Sequence, residues 1–164
     1  MKSILLIIFA LIPSLCVSSE LPSGWGLTTS DQYEKELLSW LKGKIPNTVT
    51  GDFNGDHITD TAWLLSNKRK TKLGLFVSIS TGKNTFKIIK LFEDSNAGNI
   101  YLGISHLKPG KHKTACGKGY WKCTEGEKPI LELTTSGIEF YKFESASSVY
   151  VWNKTKFERV WLSD

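Results

Sequence analysis

Oxygen-bearing side chains recur between Gly51 and Asp60, at Asp52, Asn54, Asp56 and Asp60. Counted from Asp52 they occupy positions 1, 3, 5 and 9, and the main-chain carbonyl of Ile58 falls at position 7. Calcium takes six to eight hard oxygen ligands at about 2.3–2.6 Å, and one tight turn can present them in this order. Three carboxylates held this close repel one another unless a cation or a proton intervenes. The spacing predicts a Ca²⁺ site made by Asp52, Asn54, Asp56, Ile58 and Asp60. The competing reading is a metal-free Asp/Asn/Gly turn, because these residues favour turns on their own.

The loop is not an EF-hand. Position 12 is Trp63, where that motif carries a bidentate Glu, and Gly55 stands at position 4 instead of 6. Its flanks, 45–50 and 61–65, are short, apolar and β-branched, and read as strands. A strand, a nine-residue acidic loop and a second strand, with Asp52-Phe53-Asn54-Gly55-Asp56 leading to Asp60, resembles the FG-GAP and VCBS-type repeats. The resemblance implies a calcium-binding loop of the kind found in extracellular β-propeller blades. His57 stands where those repeats usually have Gly, at a place that favours positive φ. One copy of the loop does not make a propeller, which needs several blades.

The elements that must position this loop follow from the rest of the chain. Met1-Lys2-Ser3 and the apolar run Ile4–Ile12 read as a signal peptide over 1–18, and 19–164 as a single β-rich domain. The apolar run is too short to span a bilayer. A lipid anchor on Cys16 is not expected, because Leu15 precedes it where a small residue is wanted. The formal net charge of +5 falls by one with Lys2, too little to argue for nucleic acid. Cys116 and Cys123 remain as an even pair, and an exported protein would join them in a disulfide.

Ser30–Lys42 reads as an amphipathic helix stopped by Gly43. Beyond the loop, 73–80 with 85–92, 130–133 with 138–143, and 148–152 with 156–162 read as three hairpins. The predicted class is α+β: mainly an antiparallel β meander, with one N-terminal helix and a strand–calcium loop–strand hairpin.

A second constellation lies around the cysteines. Lys118, Tyr120, Trp121 and Lys122 set aromatic rings among cations, a composition that suits a protein contact with an acidic surface. His57, His106 and His112 belong to no recognised catalytic or zinc motif. The expectation is a periplasmic or secreted, non-enzymatic binding protein with a structural Ca²⁺. Its size, leader and basic aromatic loop are compatible with an inhibitor or immunity protein that binds a toxin or envelope enzyme. The alternative is a metal-dependent envelope hydrolase that uses the acidic loop.

Overall fold

Alternation of apolar residues along the long strands gives two sheets that meet face to face. The computed structural model describes residues 21–82 and 85–164. The expected leader over 1–18 and Cys16 lie outside the described residues. In the first sheet, β3 (Asp60–Asn67) is central. The short strands β1 (Trp25–Leu27) and β2 (Thr48–Gly51) share one of its edges. β4 (Leu73–Gly82) takes the other edge and β5 (Thr85–Asp94) follows it. The second sheet runs β11 (Phe157–Ser163), β10 (Ser147–Trp152), β9 (Gly137–Lys142) and β6 (Leu102–Leu107). β7 (Gly110–Lys113) and β8 (Ile130–Leu133) form a separate two-stranded sheet. All strand pairings within these three sheets are antiparallel.

The main core fills the space between the two large sheets. Ala62, Leu64, Leu75 and Val77 from the first pack in one cluster with Ile104, Ile138, Phe140 and Tyr150 from the second. Phe92 and Phe140 reach across with ring centroids 4.9 Å apart. The other face of the first sheet carries a smaller cluster of Trp63, Leu65 and Phe76, joined by Leu21 and Trp25. One side of the sandwich is closed by main chain. The Leu64 N–H donates to Asn47 O (2.8 Å) and the Ile104 N–H to Pro46 O (2.9 Å), so two consecutive carbonyls join β3 to β6. The opposite side lies between the edge strands β5 and β11.

The α+β expectation is overturned. Among the described residues strand accounts for 49% and helix for 8%, so the fold they form is mostly β, with three antiparallel sheets and one short helix. The predicted helix over 30–42 shrinks to a 3-10 turn, Ser30–Gln32, and helix α1, Lys35–Trp40. Tertiary pairing interrupts it. Tyr33 is extended (φ −96°, ψ 149°) because its neighbours bond to Ile100: the Glu34 N–H donates to Ile100 O and the Ile100 N–H to Gln32 O. These two strand-like bonds outweigh a helical preference worth only tenths of a kcal/mol per residue. Trp40 is largely exposed beside Phe143, and Leu37 alone in α1 is fully buried.

The meander breaks between β5 and β6, which lie in different sheets, and again on either side of β7 and β8. Residues 130–133 and 138–143 do not form a hairpin. β8 pairs back onto β7, while β9 lies between β6 and β10. Both strands carry an alternating pattern that fits either partner, so periodicity alone could not choose.

At the β3–β4 end of the first sheet, Lys72 Nζ and Lys90 Nζ both reach the Glu93 carboxylate, at 2.7 and 2.6 Å. Hydrogen bonds from these two ammonium groups hold the Glu93 carboxyl at about 2, below the ordinary 4.5. A depressed folded value favours the native state above the unfolded value and loses that effect as pH falls through the folded one. Stability measured by urea denaturation is therefore expected to decline between about pH 4.5 and about pH 2. Glu93→Gln should flatten that part of the profile while leaving α1 and both sheets intact by circular dichroism.

Candidate functional site

The acidic loop connects β2 to β3, whose ends pair at Gly51↔Asp60. Its side chains fold it by accepting main-chain N–H groups. Asp52 Oδ1 accepts from Gly55 (2.6 Å) and Oδ2 from His57 (3.1 Å). Asn54 Oδ1 accepts from Asp56 (3.1 Å), and Asp56 Oδ1 from Ile58 (2.8 Å). Asn54 Nδ2 donates to Asp56 Oδ2 and to Ser80 O. His57 has φ 65°, the left-handed region that a glycine would enter more easily.

Asp60 differs from the other three. It is 1% exposed, and its two oxygens accept the N–H groups of Phe53 (2.9 Å) and Ser80 (2.8 Å). One carboxylate thus ties the loop to the far end of β4. Burial pushes the Asp60 carboxyl above its ordinary value. The Ser80 and Phe53 bonds oppose that push, and the charges of Asp56 and Asp52 add to it. Phe53, the apolar residue among these donors, is fully buried in the main core. The loop also leans on the β8–β9 turn, where the Ser136 N–H donates to Asp52 O (3.1 Å) and His106 Nε2 lies 2.7 Å from Ser136 Oγ.

The donor set matches calcium in chemistry: three carboxylates, one amide oxygen and one main-chain carbonyl, with each oxygen that accepts an N–H keeping a further lone pair. Among the described residues, no three His, Cys, Asp or Glu side chains cluster closely enough to hold a metal ion. Asp60 is the buried member, whereas Asp56 and Ile58 are exposed.

The second constellation is built on a disulfide. Cys116 and Cys123 are joined, with Cα atoms 5.0 Å apart. The base of their loop is fixed by Thr114, a residue that sequence reasoning missed. Its Oγ1 donates to Lys128 O (2.7 Å) and accepts the Gly117 N–H (3.1 Å). Gly117 packs so closely that a Cβ there would lie 1.9 Å from Pro129 O, which excludes every other residue. The loop is pinned to β11 by the Ala115 N–H on Trp161 O (2.8 Å) and by Lys118 Nζ on Leu162 O (2.8 Å).

The four predicted contact residues therefore divide. Lys118 spends its ammonium on the fold, and Trp121 is half-buried with Nε1 near the Glu127 carboxylate. Tyr120, 52% exposed, and Lys122 face water. Trp121 also lines a groove of about 620 Å³ between β8, β11 and the disulfide loop, together with Ile130, Val160 and Trp161. The three histidines are apart: His57 Nδ1 stands 3.6 Å from Asp52, His106 meets Ser136, and His112 Nε2 meets Lys108 O. Among the described residues, no helix is long and apolar enough to cross a membrane. The chain matches no known protein family, curated protein or solved structure.

Three predictions separate the roles of these residues. In calcium-free buffer Asp60→Ala strands two buried N–H groups and should cost about 2–4 kcal/mol by urea denaturation. Asp52→Ala frees N–H groups that water can reach, and should cost about 1 kcal/mol or less. Replacing both cysteines, Cys116→Ser with Cys123→Ser, reopens a short loop and should lower stability by about 2–3 kcal/mol.

Proposed function

We propose that the chain is an exported, non-enzymatic binding protein whose Asp52–Asp60 loop takes one Ca²⁺ as a structural ion. The observation that carries the reading is Asp60. It is a buried carboxylate near two other acids, placed where it fixes both the loop and the end of β4. Burial is the main cause of the raised Asp60 carboxyl, and a cation held by Asp52, Asn54, Asp56, Ile58 O and Asp60 would offset the repulsion from Asp56 and Asp52 that adds to it. The ion would act on stability. It would lock the hairpin that carries Phe53 into the core.

The disulfide supports export, since such bonds persist in oxidising compartments. Tyr120 and Lys122 on the disulfide loop, with Trp121 at the rim of the adjoining groove, are the proposed partner surface. A loop anchored by a disulfide, Thr114 and Lys118 loses little freedom on binding, which favours affinity. Its partner in this reading is an acidic protein surface on a toxin or envelope enzyme, and the protein acts as its inhibitor or immunity factor.

Calorimetric titration of the chelator-treated protein with Ca²⁺ tests the ion. We expect about one equivalent to bind. At one hundred times Kd the ion should add about 2.7 kcal/mol. That corresponds to a rise in Tm of roughly 5–10 °C for a chain of this size. Asp52→Ala should remove both effects while the apo protein still melts cooperatively. Absence of heat and of any Tm change at millimolar Ca²⁺ would reduce the loop to a turn.

A further inference from the structure

The side of the sandwich opposite the Pro46–Asn47 bridge is open. The two strands that border it, β5 and β11, are the last strands of their sheets. Between them lies a cleft of about 480 Å³, its walls formed by Lys87–Leu91 on one side and by Tyr150 and Thr155–Phe157 on the other. β5 is ten residues long. Across the cleft the Tyr150 hydroxyl donates to Leu91 O at 3.4 Å. A long edge strand leaves main-chain donors and acceptors ready to pair with another chain.

The charged side chains that line the cleft are of one sign. Lys87, Lys90 and Lys156 line it, and no carboxylate does. Lys87 pairs with no acid among the described residues. Lys90 is engaged by Glu93 at 2.6 Å, whereas Lys156 reaches Glu158 only at 3.7 Å, an exposed pair of small energetic weight. Ile89, Leu91 and Phe157 lie half-buried against the main core and offer apolar contact below the charges. Lysines on an edge strand discourage pairing with neutral strands, which offer them no counter-charge, and repel basic ones. The same charges select for an acidic one.

We infer that this open seam is a docking site for an extended acidic segment of a partner protein, which adds to β5 as a further strand. Main-chain bonds to the β5 edge would supply the pairing, and Lys87 and Lys156 beside the seam would favour carboxylates on the added strand. The site depends on neither loop discussed above, as no residue of the acidic loop or the disulfide loop lines the cleft.

The test uses the full chain with its disulfide intact, labelled with ¹⁵N, and a (Glu-Val)₅ peptide as probe. Binding should shift the amide signals of β5 and of Thr155–Phe157. It should weaken at least about tenfold in Lys87→Glu with Lys156→Glu. Those exposed changes should leave Tm and circular dichroism unaltered. A (Lys-Val)₅ peptide should leave the spectrum unchanged. The inference is overturned if the acidic peptide moves no β5 amide at millimolar concentration, or if the double variant binds it as well as the parent does. It is also overturned if a heparin oligosaccharide shifts the same amides with equal affinity, because the seam would then be a general polyanion surface.

Discussion

One buried carboxylate holds the first sheet to its loop. Asp60 begins β3, accepts the Phe53 N–H from the loop before it, and accepts the Ser80 N–H from the strand beside it. Charge-assisted bonds of this kind are about twice as strong as neutral ones. Losing the acceptor would leave two buried donors without a partner. Phe53 is the other half of the arrangement. The N–H bond to Asp60 places its ring in the core between the sheets, so a polar loop contributes one of the largest buried side chains. Any ion bound near Asp60 would act on a joint that the fold already uses.

A different economy governs the second sheet and its cover. Val149, on the face of β10 away from the main core, is fully buried. Gly137 allows this closeness, as a Cβ there would lie 2.6 Å from the Val149 methyl and 3.3 Å from Leu133. The β7–β8 sheet thus serves as a lid on the outer face of the second sheet. Arg159 closes the same sheet at its free edge. Its guanidinium stacks 4.1 Å from the Trp161 ring and its Nε donates to Ser148 Oγ at 2.9 Å. Stacking of this type stabilises by about 0.5–2 kcal/mol, according to how far it is desolvated.

Local signals made part of this legible. The hairpins at 73–80 with 85–92 and at 148–152 with 156–162 announce themselves through β-branched runs and short polar breaks, and both pairs form. Two cysteines with little chain between them pointed to the disulfide that is present. What stayed hidden depended on distant partners. Tyr33 leaves the helical conformation for Ile100, far along the chain, and no local propensity records that pull. Phe53 sits among residues that all read as turn, yet an aromatic ring between calcium-type donors was a signal that it points inward. Lys118 reads as available for a partner, yet its ammonium donates to Leu162 O. Composition can nominate a cation, but it cannot show that the fold has already engaged it.

The placement of β6 and β9 has a further meaning. Leu107 and Gly137 face each other as a paired position, although a long excursion carrying β7, the disulfide loop and β8 runs between them. Chain leaves the sandwich and returns to it at the same rung of a ladder. Closing such an excursion has an entropic cost that grows only slowly with its length. The segment is therefore a cassette whose length can vary at small entropic cost, provided the bonds of Ala115 and Lys118 to β11 and of Ser136 to Asp52 are kept. Val149 sets the boundary of that freedom, since whatever replaces the cassette must still cover it.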